Sequence, residues 1–252
     1  MIDPGRFERV ARIDSTNSAL MRRPFAEGPQ PACALMADRQ DAGRGRNGRV
    51  WRFEATRSLA LSVAVERGID GAPLLGLPLA VGVVVAECLA EHGAAVLLKW
   101  PNDVLVDTGG SLAKAGGILV EARHQGALQR VVIGVGLNLA PSATLDEAGG
   151  GLPAGACFAP EAQPDREVFA RRLADALAAS VPAFAHDGLR PWLARWRARD
   201  ALDGRPIDLV HGDGRREAVI ARGIDDDGAL RIEHADGAWG RQVAGEVSIR
   251  PR

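Results

Sequence analysis

The sequence has no tyrosine in 252 residues. Alanine, glycine and arginine are abundant, so this absence reads as a genome-composition bias without functional meaning. Cysteine is sparse too. Cys33, Cys88 and Cys157 are odd in number and far apart, which excludes the spacings of zinc sites and dithiol redox motifs. They read as free thiols in a reducing compartment, and no motif brings a histidine beside one of them to make a catalytic pair. There is no basic surplus, the formal net charge being -1. A protein held to nucleic acid by its overall field carries a clear positive excess, so any phosphate binding here has to be local. Nor is there a long apolar run. MIDPGRFERV lacks the apolar core of a signal peptide. The stretch from Leu74 to Ala90 is interrupted by Gly76, Pro78, Gly82 and Glu87, which marks a buried helix and not a membrane span. These exclusions point to a cytoplasmic protein without membrane contact.

What is present is patterning. Ser15 or Thr16 caps a helix carried by SALMRRPF. ACALMA (32–37) reads as a buried strand, and SLALSVAVE (58–66) alternates Leu59, Leu61, Val63 and Val65 with smaller or polar residues, the strand period. VLLKW is a strand stopped by Pro101, and DVLV resumes after the turn. GGILVEAR and RVVIGVGLNL are two more strands joined by the turn-like HQGA. Residues 140–164 lack periodicity and read as a long loop. REVFARRLADALAASVPAFA is an amphipathic helix. In the helix LRPWLARWRARD, Trp192 and Trp196 stand one turn apart, the spacing of a core face. From Leu202 the texture changes to short alternating strands split by HGDG, DDDG and HADG turns. The reading is an α+β fold: a mixed, largely antiparallel sheet flanked by helices over 1–201, and a small SH3-like β-barrel over 202–252.

Four stretches carry chemistry. In DRQDAGRGRNGRVW, Gly43, Gly45 and Gly48 alternate with Arg44, Arg46 and Arg49. Glycine permits close backbone approach to an anion and arginine adds fixed, bidentate charge. No Walker or dinucleotide spacing is present, so the loop implies a phosphate without naming its owner. LLKWPNDVLV sets Lys99, Asn102 and Asp103 around a Pro-fixed turn, either an ordinary capped turn or a donor–amide–carboxylate set. Lys114 precedes Gly116 and Gly117 at the head of an apolar strand. Gly134 and Gly136 leave room inside a strand for a ligand or another backbone, and Asn138, in the same apolar run, needs a hydrogen-bond partner.

The order of these pieces is more specific than any one of them. STN near the start, QDAGRGRNGRVW, KWPND, KAGGILVE and GVGLN together resemble the biotin–protein ligase family from Ser15 to Asn138. The final GEVSIR is similar to that family's small C-terminal barrel. The resemblance implies the biotin/lipoate ligase core, akin to class II aminoacyl-tRNA synthetases. It implies ATP-dependent conversion of biotin to biotinyl-5′-AMP, then transfer to a lysine of the biotin carboxyl carrier protein of acetyl-CoA carboxylase or a related carboxylase, with Mg2+ required. Ser15, Thr16, Asn17, Gln40 and Gly117 would line the biotin pocket. Arg44, Gly45 and Arg46 would close over biotin and its adenylate, Arg46 retaining the intermediate. Lys114 would contact the biotin carboxylate and activated acyl group. Arg49, Trp51, Lys99, Asn102, Asp103 and Asn138 would face ATP, with Asp103 linked to the metal. Phe158 is the expected cover for adenine.

The sequence departs from the family at Asn47, where a second consecutive arginine is common. It departs again at Ala115-Gly116, where Leu-Ala is more usual and looser packing is expected. The short segment before Ser15 leads us to expect the form without a DNA-binding domain, and a homodimer through a sheet edge is open to it. The nearest rival is a lipoate–protein ligase or lipoyl transferase. A rival of another class is a non-enzymatic nucleic-acid binder using the arginine loop and the C-terminal module.

Overall fold

A computed structural model describes residues 1–68, 74–142, 152–210, 214–243 and 246–249, with residues 47 and 246–249 described by backbone alone. The Asn47 side chain, the turn at 211–213 and residues 143–151 of the 140–164 segment therefore lie outside the described residues.

Seven strands form the main sheet: β1 (Phe7–Val10), β2 (Cys33–Ala37), β3 (Ser58–Gly68), β4 (Leu97–Lys99), β5 (Asp103–Asp107), β6 (Leu112–Gln125) and β7 (Leu128–Asn138). Their order is β1-β2-β3-β7-β6-β5-β4. Only β1 and β2 run parallel; the other neighbours are antiparallel. The mixed, largely antiparallel sheet is thus as expected. β1 was not. It is a four-residue edge strand with Glu8 and Arg9 exposed, and charge on a short edge hides the strand signal while protecting the edge.

The two faces of β3 explain the layering. Leu59, Leu61 and Val63 join the main core with α2 (Leu77–Ala90) and α3 (Arg166–Asp187). Ala60, Ser62 and Ala64 alternate to the other face, where α1 (Thr16–Arg22) packs on β3 and β7. α2 is apolar on nearly all sides, as a helix enclosed by sheet and other helices should be; it contacts α3, α4 (Arg190–Arg197) and β6. Trp192 and Trp196 are core residues, as their spacing implied. Arg130 fixes the far end of α1 by donating to Leu20 O at 3.2 Å and Pro24 O at 2.9 Å, its charge neutralised by Glu66 at 2.9 Å.

The C-terminal strands β8 (Pro206–Val210), β9 (Arg216–Ile224), β10 (Leu230–Glu233), β11 (Trp239–Gln242) and β12 (Glu246–Ile249) form a second, antiparallel sheet in the order β11-β10-β9-β8-β12, consistent with an SH3-like module. Ile207, Leu209, Val219 and Leu230 belong to the same hydrophobic cluster as the main sheet. Across the seam Trp100 Nε1 donates to Gly228 O at 3.0 Å. The small sheet therefore buttresses the KWPND turn from behind.

Candidate active site

One cavity opens on the sheet face opposite α2 and α3. Every residue singled out above as a biotin, ATP or catalytic candidate lines it except Phe158. Its neutral end starts at the helix cap. Ser15 is extended, and its hydroxyl accepts from Ser18 N at 3.4 Å. This cap places Thr16 and Asn17 on the first turn of α1, both buried. Ser62 Oγ lies 2.7 Å from Thr16 Oγ1 and 2.6 Å from Asn17 Oδ1. Gln40 Oε1 accepts from Thr16 N at 2.8 Å and from Thr16 Oγ1 at 3.1 Å. Asn17 Nδ2 donates to Glu121 Oε2 at 2.9 Å and to Leu119 O at 3.3 Å. The result is a fixed ring of small neutral donors and acceptors.

Gly134 and Gly136 make this arrangement possible. A Cβ on Gly134 would overlap the Asn17 amide, and one on Gly136 would lie 2.5 Å from Trp51 Cε2. The space reserved in β7 is thus filled by two side chains of the site and not by a ligand directly. Gly116 is equally constrained. Its Cβ would meet Leu137 Cδ2 at 2.5 Å and Gly136 O at 2.8 Å. The expectation that Ala115-Gly116 loosens packing is overturned, since that position is full without a side chain.

The arginine loop lies across the mouth. Trp51 N donates to Gly43 O at 2.8 Å and Gly45 N to Arg49 O at 2.7 Å, enclosing a 3-10 turn over Arg46–Gly48. Arg44 Nη2 reaches Glu121 at 3.2 Å, and Arg46 Nη1 donates to Asn102 Oδ1 at 3.3 Å. Arg49 is exposed at the rim. Trp51 covers Gly117 and Gly136, with its indole N–H buried and without a hydrogen-bond partner.

The other end is charged. Asp103 receives Lys99 Nζ on Oδ2 at 2.8 Å and Lys114 Nζ on Oδ1 at 2.7 Å. Burial alone would raise the Asp103 pKa, but the two ammonium groups outweigh it and hold the carboxyl below the usual range. Lys114 sits where the β5–β6 register shifts: Val104 pairs with Gly116 but Leu105 with Lys114. That leaves Ala115 as the extra residue, and such bulges commonly re-aim a side chain at a site. Asn102 Nδ2 donates to Ile118 O at 2.8 Å. Asn138 Nδ2 donates to Gly155 O at 3.0 Å, while its Oδ1 is buried without a partner, an acceptor open to a ligand donor.

Two expectations change. Both Asp103 oxygens already face ammonium groups, and the described residues hold no cluster of three His, Cys, Asp or Glu. The donor set does not fit a protein-held magnesium at Asp103. Phe158 does not line the cavity; it is buried in the main core, so it is no cover for adenine. Cys88 and Cys157 are buried free thiols, in keeping with the sequence reading; burial pushes them up to about 11 and about 12. Sequence reasoning also missed two residues of the site. Ser62 was visible only as one of the small partners in the β3 alternation. Glu121, which bridges Asn17 and Arg44, closes the KAGGILVE motif but was assigned no role.

An adenylating acyl-transfer site fits this geometry, and the comparisons agree. Residues 10–138 match the biotin/lipoate A/B protein ligase family. The chain is 37% identical to the bifunctional ligase/repressor BirA of Salmonella typhimurium, over 99% of this chain and 76% of that one. It is 36% identical to the biotin–[acetyl-CoA-carboxylase] ligase of Paracoccus denitrificans, over 93% and 95%. The fold matches the biotin protein ligase of Aquifex aeolicus, solved with biotin and ATP, at a TM-score of 0.75 and 23% identity over 98% and 99% of the chains. The chain belongs to the biotin/lipoate A/B protein ligase family.

Proposed function

We propose that this chain is an ATP-dependent biotin–protein ligase, forming biotinyl-5′-AMP and passing the biotinyl group to a carrier lysine. The observation that carries the reading is one cavity with a neutral hydrogen-bonding ring at one end, a doubly paired Asp103 at the other, and the arginine loop between. A ureido ring needs fixed donors and acceptors, which Ser15, Thr16, Asn17, Gln40 and Ser62 provide. A dithiolane offers neither donor nor acceptor to that polar ring, so lipoate is disfavoured. Lys114 and Arg46 meet the carboxylate and the α-phosphate, two anions that have to be brought together. Asn138 Oδ1 and the Trp51 face supply the nucleotide side.

The arginine loop holds the adenylate and excludes water until the carrier arrives. The attacking amine is the carrier's own, so no enzyme nucleophile is required. Residues 1–201 act as the catalytic unit and 202–252 as its buttress. The acceptor is the biotin carboxyl carrier protein of acetyl-CoA carboxylase, the setting is the cytoplasm, and a homodimer rests on family resemblance. No helix among the described residues is long and apolar enough to cross a membrane. The test is biotin-dependent labelling of a carrier lysine with ATP and magnesium, run beside lipoate. Labelling with lipoate alone, or salt-sensitive nucleic-acid binding without biotin dependence, would refute the proposal.

A further inference from the structure

Lysine occurs twice in this chain, at 99 and 114, against 29 arginines. Both ammonium groups rest on one carboxylate, Lys99 Nζ at 2.8 Å and Lys114 Nζ at 2.7 Å from the two oxygens of Asp103. Their side chains are 8% and 18% exposed. The only other amine is that of Met1, which is fully exposed. Arginine stays protonated under all working conditions, so the rest of the surface carries positive charge without an amine nucleophile.

This distribution bears on the proposed function, on which the inference rests. An acyl adenylate reacts with a neutral amine. The nitrogen lone pair attacks the acyl carbon, a C–N bond forms, and the C–O bond to AMP breaks. AMP leaves with the electron pair, and the nitrogen releases its extra proton to solvent. Lys114 lines the cavity in which the adenylate forms, and a group held there has an effective concentration on the order of 10⁵ M or more. Unless its lone pair were blocked, Lys114 would take the acyl group before any carrier lysine.

We propose that Asp103 guards the site. By pairing with both lysines at once it pins the protein's only side-chain amines against its own two oxygens, so the enzyme does not acylate itself and the acyl group is left for the carrier. Asp103 acts here through the lysines, as a positioning residue. The carboxylate stays charged at neutral pH because the two ammonium groups outweigh the effect of its burial.

The test supplies preformed biotinyl-5′-AMP to the full chain, so no variant has to make its own, and amides are located by peptide mass mapping. The wild type is expected to show no biotinyl group on Lys99 or Lys114. Asp103→Asn, close in shape but neutral, is expected to raise labelling of Lys114 by about tenfold or more, and Asp103→Glu to return it to the wild-type level. Arg190→Lys, at an exposed position opening α4, calibrates a free amine on an otherwise unchanged protein. A folded Asp103→Asn labelled no more than wild type overturns the proposal. So does wild-type Lys114 labelled as fast as the substituted residue 190, a comparison that holds even if Asp103→Asn fails to fold. Failure of the proposed function would appear separately, as absence of biotin-dependent pyrophosphate exchange by the wild type.

Discussion

The two ends of the cavity are built by different means. At the neutral end Thr16, Asn17, Gln40 and Ser62 are fixed by one another within 3.1 Å. Their geometry comes from a helix cap and from Gly134, which gives up a side chain to admit Asn17. At the charged end a single carboxylate sets the positions of two lysines, and the geometry comes from a strand bulge and a turn braced by the second sheet. Neutral hydrogen bonds discriminate shape, whereas concentrated charge stabilises what forms during reaction. The first end is therefore expected to govern biotin KM and the second kcat.

The strongest test of that division is Lys114→Ala, expected to lower biotin-dependent pyrophosphate exchange by about 10²–10³-fold through kcat. A change confined to KM would break the comparison. Next, Arg46→Gly removes the hydrogen bond across the mouth to Asn102. It is expected to speed adenylate release about 10–100-fold, the worth of one charge-assisted hydrogen bond. Chasing labelled adenylate from the enzyme, or labelling of bystander proteins, reads this out. Ser62→Ala, at the neutral end, is expected to raise biotin KM about tenfold with kcat little changed.

The smallest effect expected on activity lies outside the cavity. Asp200 is the counterpart of Asp103, a mostly buried carboxylate without an ammonium partner. Its Oδ2 has no hydrogen bond, and burial, aided by Asp203, pushes its pKa up to about 6. The folded state thus binds the Asp200 proton more tightly than the unfolded chain, whose value is near 3.8. This contribution to stability falls as pH rises from about 4 to about 6 and stays lost above. Asp200→Asn is expected to stabilise the protein by ~2 kcal/mol at pH 7 and to make little difference below pH ~4. Urea unfolding at the two pH values measures it. Asp103 has the opposite sign: its lowered pKa gives stability at neutral pH that is lost as pH falls below the carboxylate range.

Much of this protein was legible in its sequence. β2, β3, β7 and the long helices follow from periodicity, because side chains alternate between a core face and a site face. The ordered motifs brought their own candidate residues to one cavity, since glycines, prolines and charges at turns carry local constraints that spacing alone reveals. Three-dimensional packing decided the rest. β1 was hidden because an edge strand bears charge. Ser62 and Glu121 act through partners 45 and 77 residues away, so no local pattern showed their roles. Phe158 was assigned by proximity in the chain, but the fold turns it into the core. Asp103 has metal-ligand chemistry in isolation, yet tertiary structure brings Lys114, eleven residues on, to the oxygen that Lys99 leaves open. The sequence thus determined which chemical groups are available. Only the tertiary structure decided which of them meet, because hydrogen bonds and ion pairs depend on distances that sequence separation does not specify.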